Sequence, residues 1–501
     1  MTKRFAFLVL FSISLISAIF WNEFNKHELR KAGIELRQNT TVITNDDISY
    51  LAPYDSFLKN GTFYTDELSK YASITRSPGY GSLYYICNIF FERSNALYCL
   101  YLLQIILFAL SVYCLFRIAE LVSLPRQFAF LIAAIYGFLP FSIGFLNYTL
   151  TEGITPALLI FFYLYFFKGF YSPEIKNKNL NYFIASLIFA FLFVVRPILG
   201  IFIFPILVVF FKEFLNEKKP LLYALKSCIF LTIAFSIYGI WEIRNREVIG
   251  KWTSLHPIYQ NEIPGVFRLP HEKAWDFFKG WESSGAHFHE TILPFWEQTM
   301  KLDTSDQPII RFVNRIPKEV LNSIGKEELI DALISYRKSI LAQKPYFENR
   351  KLMPENSLEI EKIAAYKFSQ LAKNYQKMNP INYFINTPLK ILKNMTLHSN
   401  LSLYIFQVSA RGNYFIEFLR FICLAIHFMC FMVLPISLYF NRKHILIFSL
   451  IIVLITYLCY LAFFQRGIEE RYTLPILPFV ILIFGKTIYI IYMRFKFRSI
   501  F

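Results

Sequence analysis

Apolar runs of about 16 to 25 residues recur along this chain between short polar stretches, a length that carries a helix across roughly 30 Å of hydrocarbon. Read as spans they cover 5–21, 97–117, 127–146, 153–170, 181–196, 198–212, 227–243, 414–439, 445–464 and 473–493. The pattern predicts an all-α polytopic membrane protein with about ten transmembrane helices. Continuous runs rather than strict alternation exclude a closed β-barrel. Segments 181–196 and 198–212, on either side of Arg196-Pro197, read as one broken helix or as two brief ones.

The polar stretches are unequal. A first loop covers 22–96, and a much larger segment covers 244–413, so the chain divides into an N-terminal membrane module (1–243), an outer segment (244–413) and C-terminal spans (414–501). Within the outer segment Leu329, Ile330, Leu333, Ile334 and Leu341 repeat at helical spacing, as do Ile360, Ile363, Ala364, Phe368, Leu371 and Tyr375. These predict amphipathic helices that pack on each other or lie along the membrane surface, the second capped by Asn356 or Ser357 and ended by Asn379-Pro380. In the first loop, Tyr50, Tyr54 and Phe57 put an aromatic stripe on a short helix starting at Asp46-Asp47, and 82–91 reads as a juxtamembrane helix too short to span.

Composition sharpens this picture. A chain of 501 residues at 55% hydrophobic and 17% charged is too apolar for a soluble multidomain protein. Its net charge of +17 does not mark a nucleic-acid binder, because the basic residues are scattered beside apolar segments rather than gathered in one domain. With ten spans Lys3, Arg4, Arg117, Arg126, Lys168, Lys176, Lys178, Lys212, Lys218, Lys219, Arg442, Lys443, Arg494, Lys496 and Arg498 all fall on one side, which the positive-inside rule makes the cytoplasm. Loop 22–96 and segment 244–413 then lie on the opposite, outer side. Met1-Thr2-Lys3-Arg4 and the run after it read as an uncleaved anchor, for no small-x-small site follows. The seven cysteines lie in or beside apolar segments and read as small buried hydrophobes.

Candidate chemistry gathers at the outer ends of the spans. Asp46 and Asp47 read alone as a helix cap, since an acid complements the positive end of a helix. Arg76-Ser77-Pro78-Gly79-Tyr80 reads alone as a surface turn. Yet Arg76 opposes the positive-inside trend, and Glu152, Arg196 and Arg244 sit where ionisable groups are costly and therefore candidates for function. Glu470-Arg471-Tyr472, at the head of the last span, adds a similar group. His287-x-His289-Glu290 has a spacing that suits a strand or loop and lacks a third metal ligand. Five glycosylation sequons, at Asn39, Asn60, Asn147, Asn394 and Asn400, fall on the outer side.

The order Asp46-Asp47-x-x-Tyr50, Arg76-x-Pro78-Gly79-Tyr80, Thr151-Glu152, Arg196-Pro197, Trp241-x-x-Arg244-Asn245 and Glu470-Arg471-Tyr472-x-x-Pro475 resembles the GT-C class of integral membrane glycosyltransferases. More narrowly it resembles the bacterial relatives of polyprenyl-phosphate-sugar protein mannosyltransferases and of the aminoarabinose transferase that acts on lipid A, the family 39-like group. The resemblance covers most of 1–250 and the last forty residues. It implies a polyprenyl-phosphate sugar donor, a lipid, glycan or protein acceptor, a bacterial inner membrane, and an active site on the periplasmic side between the first outer loop and the bundle. On that pattern Asp46 matches the loop acid expected to act as general base, with Asp47 where many relatives have Glu, so either aspartate is open to that role. Arg76, Arg196 and Arg244 match the donor-phosphate positions, while Tyr50, Tyr80, Glu152, Glu470, Arg471 and Tyr472 complete the site. Ser77 stands where relatives often have Pro, and 250–413 carries none of the family's motifs. No cofactor motif is present, although a divalent metal is compatible with the carboxylates.

Two rival readings share the span count. An O-antigen polymerase or ligase also has a large outer loop and outer arginines but no acid pair in its first loop. A polyprenyl-linked glycan flippase or transporter, not an enzyme, predicts charges near mid-membrane instead of at the outer ends.

Overall fold

A computed structural model of the protein describes residues 2–31, 33, 46–63, 76–216, 220–250, 252–253, 268–302, 305–349, 351, 354, 358–396, 412–467 and 470–498. Every regular element among them is helical. The first span, α1 (Lys3–Lys31), runs ten residues beyond its apolar core and carries Asn22, Asn25 and Lys26 buried toward its C-terminal end. Two short helices, α2 (Asp47–Asn60) and α3 (Gly79–Phe90), follow in the first loop where the aromatic spacing places them. α3 turns Tyr80, Tyr84 and Cys87 inward and leaves Ile86, Ile89 and Phe90 exposed, as expected of a helix lying at the interface.

The membrane module continues with α4 (Arg93–Leu121), α5 (Arg126–Phe138), α6 (Pro140–Ile143), α7 (Thr155–Tyr171), α8 (Ile175–Val195), α9 (Phe204–Asn216), α10 (Pro220–Ala234) and α11 (Ser236–Ile249). Seven helices among the described residues are long and apolar enough to cross a membrane, or eight if the pair α10–α11, bent by 52° at Phe235, is one span. α5 and α7 are shorter apolar helices. The expected span 127–146 is therefore not one helix: it breaks at Leu139, which the following Pro140 holds extended (φ −67°, ψ 121°). Segments 181–196 and 198–212 resolve into two elements, because Arg196 is extended (φ −150°, ψ 92°) and a 3-10 turn, Pro197–Ile203, leads into α9.

At helix ends Lys178 pairs with Glu213 at 2.6 Å, Arg126 with Glu120 at 2.8 Å, Tyr171 Oη meets His444 Nε2 at 2.9 Å, and Lys486 Nζ donates to the Val122 carbonyl at 2.5 Å.

The outer segment builds its own core from α12 (Leu269–Phe278), α13 (Gly285–Met300), α14 (Gln307–Asn314), α15 (Lys318–Ile324), α16 (Lys326–Glu348) and α17 (Glu359–Met378). α16 and α17 pack on each other, with Leu329, Leu333 and Tyr336 against Ala364, Phe368 and Leu371, while Ile363 points outward. Asn356 and Ser357, the expected caps, lie outside the described residues; Glu361 instead accepts the Leu358 N–H at 2.7 Å. His287 and His289 lie on a helix, not on a strand or loop. Of the sequons, Asn147 is fully buried, and Asn39 and Asn400 lie outside the described residues. A π-helical turn, Asn382–Asn386, and α18 (Thr387–Thr396) lead toward the last spans, α19 (Tyr414–Asn441), α20 (Ile445–Cys459) and α21 (Leu477–Arg498).

Candidate functional site

Asp46 stands just before α2 in helical geometry (φ −83°, ψ −26°), where its carboxylate makes no capping bond. It occupies the N-cap position without a capping hydrogen bond, its oxygens turned instead to two guanidiniums. Its Oδ1 accepts from Arg76 Nη2 at 3.1 Å and its Oδ2 from Arg471 Nη2 at 2.8 Å, so one carboxylate joins the first loop to the head of the last span. Sequence locality alone does not bring Arg76 there. Gly79 does: a Cβ at that position would overlap the backbone of Val194 and Val195, so only glycine lets the Arg76–Pro78 turn sit against the end of α8, one residue from Arg196. Tyr54 Oη donates to the Pro78 carbonyl at 2.6 Å and pins the turn from the other side.

From Asp46 the charges alternate inward. Arg471 Nε lies 3.6 Å from Glu152 Oε1, and Arg196 Nη1 lies 3.0 Å from the same oxygen and donates to Thr151 Oγ1 at 3.3 Å. The Arg196 guanidinium also stacks over the Tyr472 ring at 4.7 Å, and Arg76 over Tyr50 at 4.9 Å. Glu152 lies in the turn between α6 and α7. Burial pushes its carboxyl up, and the Arg196 and Arg471 guanidiniums outweigh burial and hold it below the usual range. The chain grades from open to closed: the Asp46 side chain is 38% exposed, those of Arg196 and Glu152 only 7% and 4%. Arg196 Nη2 is a buried donor that makes no hydrogen bond among the described residues.

No protein-family model matches this chain, and no curated protein matches it. Among solved structures it is similar to ArnT from Cupriavidus metallidurans. Against the apo crystal structure the TM-score is 0.36 and the identity 10%, over 97% of this chain and 78% of that one. Against the same protein bound to undecaprenyl phosphate the TM-score is 0.35 and the identity 10%, over 96% and 77%. A likeness at that level carries no argument about function. The geometry of the site has to carry it.

That geometry brings Asp46, Arg76, Tyr50, Glu152, Arg196, Arg471 and Tyr472 together and leaves others aside. Asp47, the next residue along, is fully buried and accepts from Thr149 Oγ1 at 3.0 Å. Tyr80 is fully buried, its ring edge-on to Tyr50 and its hydroxyl bonded to Gln104 Oε1 at 2.9 Å. Arg244 is held elsewhere, against the Trp241 and Phe63 rings, with Nη2 on the Phe63 carbonyl at 3.3 Å. Its neighbours Glu242 and Asn245 bond Thr253 and secure the chain leaving α11. The Glu470 side chain lies outside the described residues.

Sequence reasoning missed Ser49, Thr149 and Gln104. Ser49 Oγ accepts from Arg76 Nε at 3.0 Å, Thr149 fixes Asp47, and Gln104 ties Tyr80 to the carbonyls of Leu146 and Tyr148. Neutral polar residues inside or beside apolar runs are the only signal they give. His289 of α13 was singled out for its neighbour His287 rather than for its place: burial lowers its imidazole, while the Asp46 carboxylate, within electrostatic reach, opposes that. Among the described residues no group of three or more His, Cys, Asp or Glu side chains could hold a metal ion, and both Asp46 oxygens face guanidiniums. These residues do not fit a resident metal.

Proposed function

We propose that this chain is an inverting glycosyltransferase of a bacterial inner membrane, moving a sugar from a polyprenyl-phosphate donor to a lipid, glycan or protein acceptor on the periplasmic face. The observation that supports it most directly is the half-open carboxylate of Asp46 between Arg76 and Arg471, with Arg196 and Glu152 beneath. Guanidiniums in this arrangement fork onto phosphate oxygens, and a donor phosphate competes with Asp46 for Arg76 and Arg471. Its arrival would release the carboxylate from two cations and free its oxygens to accept from an acceptor hydroxyl.

The acceptor hydroxyl then gives its proton to Asp46 as its oxygen attacks the anomeric carbon. The bond from that carbon to the phosphate oxygen breaks, the electron pair stays on the phosphate, and the arginines offset the charge gathering there. A single displacement inverts the anomeric centre. Asp47, buried on Thr149, holds the start of α2 and so the place of Asp46. In purified protein given labelled polyprenyl-phosphate sugars and a membrane extract, we expect Asp46→Asn to lower transfer by about 10²- to 10⁴-fold with insertion unchanged. Full activity in Asp46→Asn would end this reading, and full activity in both Asp46→Asn and Asp47→Asn would end any role for the acid pair.

The polymerase or ligase reading finds no use for an acid between two arginines. A transporter would place its charges near mid-span, whereas this group joins the ends of spans.

A further inference from the structure

Arg471 reaches Asp46 and Glu152 from the start of the last span, and the chain approaches that start from a turn outside the site. α20 does not end as an α-helix: it widens into a π-helical turn, Tyr460–Gln465, and then reverses at Arg466. Arg466 has φ 52° and ψ 169°, a region that residues with a Cβ rarely adopt and that persists only where the surroundings impose it. Here the surroundings do impose it. The Arg466 side chain is nearly buried, its Nε donating to the Phe463 carbonyl at 3.0 Å, its Nη1 to the Lys279 carbonyl at 3.4 Å, and its plane stacked 4.2 Å from the Tyr383 ring. Lys279 ends α12 and Tyr383 lies in the π-helical turn 382–386, so both anchors belong to the outer segment.

The next residue is clamped by the same segment. A Cβ on Gly467 would run into the Trp275 ring of α12, and a Cβ on Gly285, where α13 begins, would crowd the Gly467 carbonyl. Two rare π-helical turns thus meet through one arginine five positions before Arg471.

We propose that Arg466 is a positioning residue: gripped by the outer segment at Lys279 and Tyr383, it sets where Arg471 stands against Asp46 and Glu152. The inference rests on the glycosyltransferase reading for its functional consequence but not for its structural one, and the two are tested separately. Hydrogen exchange on the full-length protein without ligand reads the structural part. Arg466→Ala should speed exchange over 470–476 by about tenfold or more while α4 and α8 keep their protection, and Tyr383→Leu should do the same on a smaller scale.

Affinity for undecaprenyl phosphate in detergent micelles reads the functional part through a double-mutant cycle. Arg466→Ala should weaken binding about tenfold when Arg471 is present and less than about twofold in the Arg471→Ala background, because it acts only through Arg471. Damage that merely loosens the fold lowers affinity equally in both backgrounds. Unchanged exchange over 470–476, or an equal loss in both backgrounds, overturns the inference. A wild-type chain that does not bind undecaprenyl phosphate overturns the glycosyltransferase reading instead, and exchange alone then decides the role of Arg466.

Discussion

The buried arginine–carboxylate pair at Arg268 and the arginine–carboxylate group at Asp46 differ in what can reach them. In the outer segment Arg268 grips Glu361 through Nε at 2.6 Å and Nη2 at 2.5 Å, with Gln343 and the Leu358 N–H on the same carboxylate, and both side chains are 0% exposed. In the membrane module Arg76, Arg471 and Arg196 share Asp46 and Glu152, and the Asp46 end is open. A buried guanidinium nitrogen without a hydrogen bond among the described residues occurs in both clusters, Arg268 Nη1 in the sealed one and Arg196 Nη2 in the open one. Orphaned donors therefore do not separate structural from functional charge here. Access and stoichiometry do: one cation per anion in a sealed core holds a fold together, whereas three guanidiniums around two carboxylates at an opening leave capacity for an incoming anion.

The largest effect should come from breaking the sealed pair. Glu361→Gln leaves Arg268 charged and buried between α12 and α17, and we expect it to cost about 3 to 5 kcal/mol in a denaturant titration followed on the outer segment. Asp46→Asn, solvated at its open end, should cost less than about 1 kcal/mol in the same titration. Comparable losses from the two variants would show that the open cluster is a structural brace after all.

How much of this could be read from the sequence follows the same division. Span placement was legible wherever an apolar run was uninterrupted, as at 97–117 within α4, and failed at 127–146, where a proline ends the helix inside a run that hydropathy alone counts as continuous. Asp46, Arg76, Glu152, Arg196 and Arg471 were legible because charge beside apolar runs is conspicuous. Tyr80 and Arg244 sat in equally conspicuous motifs, yet their side chains serve Gln104 and the Phe63–Trp241 rings. A motif gives the residue but not the direction of its side chain, which tertiary packing decides. Arg466 gave no signal, because its strain and its anchors arise from contacts with Lys279 and Tyr383, 187 and 83 positions away in sequence.

A smaller effect should follow from pH. His271 on α12 is buried against Phe288 and beside His289; burial lowers its imidazole to about 3, with His289 adding to the shift. The unfolded chain therefore takes up this proton more readily than the folded one, so stability is full above about pH 6.5 and declines as pH falls toward 3. Thermal or denaturant unfolding should show a loss of about 2 kcal/mol between pH 7.5 and 5, and His271→Gln should flatten that slope. A wild-type outer segment indifferent to pH over this range would mean that His271 is more solvated than its packing indicates, and the sealed side of the comparison would be less sealed than drawn.

The smallest effect sharpens the open side. Arg244 belongs by motif with the arginines proposed to bind phosphate, but its guanidinium lies against the Trp241 and Phe63 rings instead of joining the alternating chain of charges. A cation committed to two aromatic faces and a backbone carbonyl contributes roughly 0.5 to 1 kcal/mol locally. Arg244→Ala should therefore lower stability by about that amount and change affinity for undecaprenyl phosphate by less than about twofold, or 0.4 kcal/mol. Arg471→Ala, measured alongside, removes a cation from between two carboxylates at the opening and should weaken the same ligand by at least about tenfold. A tenfold loss from Arg244→Ala would place the anion beside Phe63 and Trp241, and the proposed phosphate site would then extend along α11 instead of ending at the Asp46 opening.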